Sequence, residues 1–102
     1  MGATRALVVE VDTELAALVP GFLDRRRSDA VAIRAAAMSC DFETARSLGH
    51  QLKGSGAGYG FPEISRLGAE IEEAAKGHER ERLGGLADAL SEYLGSIRIN
   101  YV

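Results

Sequence analysis

The chain has one cysteine, two prolines and two histidines among its 102 residues, and each scarcity removes a class of explanation. Cys40 alone can close no internal disulfide and offers no thiolate cluster to zinc. It is expected to be a small core residue in a protein of the reducing cytoplasm. The histidines, His50 and His78, cannot build a histidine-rich metal centre, and Arg82 stands where an HExxH pattern beginning at His78 would need its second histidine. No bound metal is expected. Long apolar runs are missing as well: the stretch Ala6–Val9 is broken by Glu10 and Asp12, too soon for a signal-peptide core or a membrane span. Positive charge is not in excess. Twelve Lys and Arg against 15 Asp and Glu leave a formal charge of -3, which argues against nucleic acid, whose phosphates require a concentrated basic surface. The one basic run, Arg25–Arg27, reads as a solvated helix face.

What is present points to helices. Ala, Leu, Glu and Arg are plentiful, and 46% hydrophobic with 26% charged residues fits a globular chain long enough for one core and too short for two. Apolar residues recur at helical spacing from about Thr13 to Val19, with Asp12 as N-cap, which predicts a short first helix. Pro20 fits the first turn of a longer one whose stripe is Phe22, Leu23, Ala30, Ile33, Ala37 and Cys40; Arg26 spreads its stem over the edge of that stripe.

Asp41 and Glu43 open a third helix near Phe42, with Ala45, Leu48, Gly49, Leu52, Gly56 and Tyr59 facing inward. Pro62 starts the next, with Ile64, Leu67, Gly68, Ile71, Ala74 and Ala75 on its stripe and Gly77 as its stop. A last helix from about Glu79 carries Leu83, Leu86, Leu90, Tyr93, Leu94 and Ile97. Short links between long amphipathic helices favour antiparallel neighbours. The expected fold is all-α: an up-and-down antiparallel four-helix bundle with a short extra N-terminal helix, occupying residues 12–102. Residues 1–11 form a separate N-terminal segment, within which Leu7–Val11 is left open between extended and disordered.

His50 lies opposite the apolar stripe of its helix. At about 100° per residue, Arg46, Gly54 and Ala57 fall within about 40° of it and Lys53 within about 60°. An imidazole, with an ordinary pKa of about 6.5, is substantially neutral at cytosolic pH, so an exposed ring nitrogen is an available nucleophile. Lys53 adds a point charge one turn along. A helix interior resists each glycine by roughly 0.8–1 kcal/mol, so the glycines at 54, 56, 58 and 60 require a reason. Gly56 and Gly60 lie on the packing side, Gly54 beside His50, where a missing side chain leaves room for another protein. A nucleotide loop is not indicated, because Lys53 precedes Gly54 and no strand leads into the glycines.

The stretch AxxxGHQLKGSGAGYGFPEISRLGAEIEEA, Ala45 to Ala74, resembles the signature of histidine-containing phosphotransfer (HPt) domains of bacterial phosphorelays, whose phosphohistidine lies in an HxLKGS motif. Upstream, FLDRRRSDAVAIRAAAMSCDFE resembles the helix and turn before it in bacterial members. The resemblance spans about residues 12–98. It implies that His50 is the phosphoacceptor, that Lys53 assists it electrostatically and that Gly54 clears space for the partner. Gly54 and Ala57 are expected at the centre of the partner interface, with Arg46 among the neighbouring side chains that bind it. Members often place a Gln on the neighbouring helix against the other histidine nitrogen; counting without gaps puts Glu72 there, a departure, since a carboxylate can orient the ring but also repels a phosphoryl group.

The resemblance further implies a carrier that takes a phosphoryl group from the aspartyl phosphate of one response-regulator receiver domain and gives it to another, downstream of a hybrid histidine kinase. Such a carrier has no ATP-dependent kinase activity and no cofactor of its own, magnesium being held by the receiver. A monomer is expected. The competing expectation is a helical adaptor of the same fold that binds partners without carrying phosphate. A metal-binding bundle ranks last, because histidines and carboxylates are not paired on facing stripes.

Overall fold

The four long apolar stripes become four helices in the computed structural model, which describes residues 7–102: α1 (Val19–Met38), α2 (Phe42–Ser55), α3 (Pro62–Lys76) and α4 (Arg80–Ser96). The first six residues of the expected N-terminal segment lie outside the described residues.

Local chemistry sets the helix limits. Pro20 and Pro62 sit in the first turns of α1 and α3, where a missing amide proton costs nothing. Asp41 caps α2, its carboxylate accepting from the Thr44 amide at 3.2 Å and the Thr44 hydroxyl at 2.7 Å. Past the end of α2, one 3-10 turn (Ala57–Tyr59) leads to Gly60, whose φ of 94° is a left-handed conformation that favours glycine. The links 39–41 and 77–79 each contain another left-handed residue, Cys40 at φ 55° and His78 at φ 54°. Cys40 is therefore exposed, not in the core; reversing the chain after α1 takes it off the stripe that the helical count had extended to it.

Around the bundle, α1 packs on α2 and α4, and α3 packs on the same two. Phe22, Ile33, Leu52, Phe61, Ile64, Ile71, Leu83 and Leu90 are all but inaccessible; burial of each contributes about 1.5–3 kcal/mol. Phe22 stacks with Tyr59 and with Phe61, whose ring centroids lie 4.2 and 5.9 Å away. Arg26 lays its guanidinium over the Phe22 ring at 4.8 Å and donates to the Ser55 hydroxyl at 3.2 Å. It ties α1 to the end of α2.

Two further expectations, both of the architecture, are corrected. The short N-terminal helix is absent: between Asp12 and α1 there is one 3-10 turn, Thr13–Leu15, capped by Asp12, which accepts from the Glu14 amide at 2.8 Å. With α1 starting at Val19, too little chain remains to offset the cost of nucleating an α-helix. The fold is also not purely α. Leu7–Val11 (β1) pairs in parallel with Ile97–Tyr101 (β2), in the register Leu7↔Ile97 to Val11↔Tyr101. Hence α4 ends at Ser96, and Ile97 leaves it with an extended ψ of 145°.

Both segments are rich in β-branched residues. Val9, Val11, Ile97 and Ile99 pack on the core while Leu7 and Val8 face solvent. A parallel pair needs a long crossover, and here the crossover is the whole bundle. The Gly60 turn abuts β1: a Cβ there would stand 3.3 Å from a Val11 methyl. No described helix is long and apolar enough to cross a membrane.

Candidate functional site

Two glycines bring α2 and α3 together. A Cβ added at Gly49 would lie 2.7 Å from the Glu72 amide nitrogen and 2.9 Å from the Gly68 carbonyl oxygen. One added at Gly68 would strike the Lys53 amide nitrogen and come within 2.8 Å of the Gly49 carbonyl. The backbones are thus in near contact, so the residue after Gly49 and the residue one turn beyond Gly68 meet at the rim. Those residues are His50 and Glu72.

The His50 side chain is 67% exposed, whereas that of Glu72 is 9% exposed. Nδ1 of His50 lies 3.1 Å from Oε2 of Glu72, and the Lys53 ammonium lies 3.0 Å from Oε1. From its own helix, one turn on, Lys76 approaches Oε2 to 3.8 Å. The Lys53 hydrogen bond, seconded by His50 and by the charges of Lys53 and Lys76, holds the Glu72 carboxyl below its ordinary value of 4.5 against the opposing effect of desolvation. Glu72 is therefore ionised near neutrality. An ionised carboxylate only accepts hydrogen bonds, so with a neutral ring this contact requires the proton on Nδ1 and leaves the lone pair on Nε2. Among the described residues nothing hydrogen bonds Nε2.

Gly54 is exposed, and among the described residues a Cβ there would meet nothing within 4 Å. The rim beside His50 is open. Arg46 is exposed one turn earlier on α2. Ala57 is exposed too, but on the 3-10 turn after the helix, where its amide donates to the Ser65 hydroxyl at 2.8 Å. Helical spacing places it on the His50 face only if α2 continues, and α2 ends at Ser55.

Two features were not read from sequence. Lys53 is engaged by Glu72 rather than free, and Lys76 joins the same carboxylate; the only advance signal for Lys76 was its place one turn beyond Glu72 on the same face. Together they surround one carboxylate with two ammonium groups. His78 stacks on Phe42 with ring centroids 4.6 Å apart, in a groove also lined by Arg46 and Lys76. Among the described residues no three His, Cys, Asp or Glu side chains converge as a metal site.

No curated protein and no solved structure matches the chain. A family model, that of the Hpt domain, matches residues 5–99. The matched range takes in all four helices and the glycine-spaced rim between α2 and α3. Because it spans nearly the whole sequence, the chain belongs to the Hpt domain family.

Proposed function

We propose that this Hpt domain carries phosphoryl groups on Nε2 of His50, receiving them from the aspartyl phosphate of one receiver domain and delivering them to another, in a relay fed by a hybrid histidine kinase. Hpt domains in general are histidine phosphocarriers of phosphorelays rather than kinases. The observation that supports the assignment to His50 is its geometry: an exposed ring whose Nδ1 is held by a nearly buried carboxylate and whose Nε2 is unengaged among the described residues.

The lone pair on Nε2 attacks phosphorus in line, the bond from phosphorus to the aspartyl oxygen breaks, and that electron pair returns to the receiver's carboxylate. The ring keeps its Nδ1 proton and becomes cationic, facing the Glu72 carboxylate. A loose phosphoryl transition state needs positioning and charge more than covalent chemistry. In this reading Lys53 turns from Glu72 towards the phosphoryl oxygens, and Lys76 remains to neutralise the carboxylate. The receiver brings its own acidic cluster and magnesium, and this chain supplies no cofactor.

The partner covers the rim at Gly54, with Arg46 and Ala57 at its margins. An encounter that must turn over calls for a small, transient interface.

Incubation with phosphorylated receivers tests the reading. The expected product is acid-labile, alkali-stable phosphate on this chain, absent from His50→Gln. A variant that still binds and signals without label would establish the adaptor instead.

A further inference from the structure

Glu72 can do more than orient a ring, because an ionised carboxylate and an amide respond oppositely once Nε2 carries phosphate. In the neutral form of an Nε2-phosphorylated imidazole, Nδ1 is an unprotonated acceptor. Facing Oε2 of Glu72 at 3.1 Å, it would set acceptor against acceptor. With Nδ1 protonated, the same contact becomes a charge-assisted hydrogen bond.

The surroundings strengthen that demand. Three groups face Glu72: His50 and Lys53 from α2, and Lys76 from α3. No charged group of α1 or α4 pairs with it among the described residues. When Lys53 moves to the phosphoryl oxygens, a carboxylate with 9% of its surface exposed keeps only Lys76, at 3.8 Å, and the Nδ1 proton. Leaving a nearly buried carboxylate without partners is costly, so the proton stays.

The protonated phospho-ring is also the labile one. When water or a receiver carboxylate attacks phosphorus, the P–Nε2 bond breaks and its electron pair neutralises the ring. The ring departs as the same Nδ1–H tautomer that first attacked, still donating to Glu72, so no proton has to be found for the leaving group.

We infer that Glu72 is a positioning residue that sets the lifetime of the phosphoryl group on His50, holding the phosphorylated ring in its protonated, ready-to-leave form and so favouring onward transfer over storage. The inference rests on His50 being the phosphoacceptor.

The test uses the full chain, phosphorylated with the small donor phosphoramidate, and follows decay of the phosphohistidine 31P signal across pH in wild type and in Glu72→Gln. A Gln amide can donate to the unprotonated Nδ1, so the variant should keep its label about tenfold longer at neutral pH, and its decay profile should shift about one pH unit towards acid. Coincident profiles, or slower decay in wild type, would overturn the inference while leaving the carrier assignment intact. Absence of label on His50 would remove that assignment and this inference together. Should the variant fail to fold, wild type decides: the Nδ1 proton of phosphorylated His50 should persist in 15N–1H spectra to about pH 8, and its loss near the ordinary imidazole range contradicts the proposal.

Discussion

Replacing Gly54 and Gly68 by alanine, one at a time, should move stability in opposite directions, although both lie within helices of one interface. At Gly68 the new methyl would press on the Lys53 amide, on the Leu52 Cβ at 2.7 Å and on the Gly49 carbonyl at 2.8 Å. Two of those are backbone atoms, which no rotamer change can move aside, so α2 and α3 must separate. Overpacking of this kind costs about 3 kcal/mol, offset by about 1 kcal/mol of better helix propensity. The net loss of about 2 kcal/mol corresponds to a melting point lower by roughly 8–16 °C in a domain of this size.

At Gly54 the same methyl meets nothing within 4 Å, so the propensity gain is kept, about 0.5–1 kcal/mol or roughly 4 °C. Its effect on function is reversed. A methyl beside His50 should slow transfer from a receiver while leaving labelling by phosphoramidate unchanged, because only the protein donor has to dock there. Thermal unfolding by circular dichroism, paired with the two labelling assays, reads both effects. A Gly68→Ala protein as stable as wild type would refute the close-approach argument, and a Gly54→Ala protein with undiminished receiver transfer would refute the docking role.

Other perturbations separate the parts. Lys53→Gln should slow labelling from a receiver about tenfold without moving the site of modification; an unchanged rate would show that Lys53 serves only to neutralise Glu72. Because the Glu72 carboxyl lies below its ordinary 4.5 in the folded state, its contribution is present above that value and is lost as pH falls through the folded-state value. The difference in melting temperature between wild type and Glu72→Gln should therefore shrink as the solution is taken from about pH 6 to about pH 3, and a pH-independent difference would contradict the ion-pair cluster. Val11 is 1% exposed, so Val11→Ala should cost about 2 kcal/mol in denaturant unfolding. A neutral result would mean that β1 does not contribute to the core.

The helices were legible where their signals are local. Asp41 before Phe42, the two prolines and the stripes of α1, α3 and α4 depend on residues within a turn or two of each other. Legibility failed where distant chain decides. Nothing in LVVEV announces a partner 90 positions away, and Ile97 fits a helical stripe as well as a strand until β1 lies beside it. Cys40 carried an apolar label, but its place is set by the turn the chain must make.

At the site, His50, Lys53 and Gly54 stand in one readable motif on one helix. The carboxylate that links them belongs to another helix, and its distances follow from the contact of Gly49 and Gly68, which spacing along one helix cannot express. Lys76 was missed for the same reason: its role depends on what α2 brings to Glu72.

That the ring of His50, at Nε2, holds the phosphoryl group in transit is the proposal on which the others rest. It is tested most directly by a single-turnover reaction with a phosphorylated receiver, stopped in alkali and analysed by 31P NMR and by fragmentation mass spectrometry. The expected result is one phosphate per chain, on Nε2 of His50, transferable to a second receiver and absent from His50→Gln. Phosphate on any other residue, or undiminished transfer through His50→Gln, would contradict it.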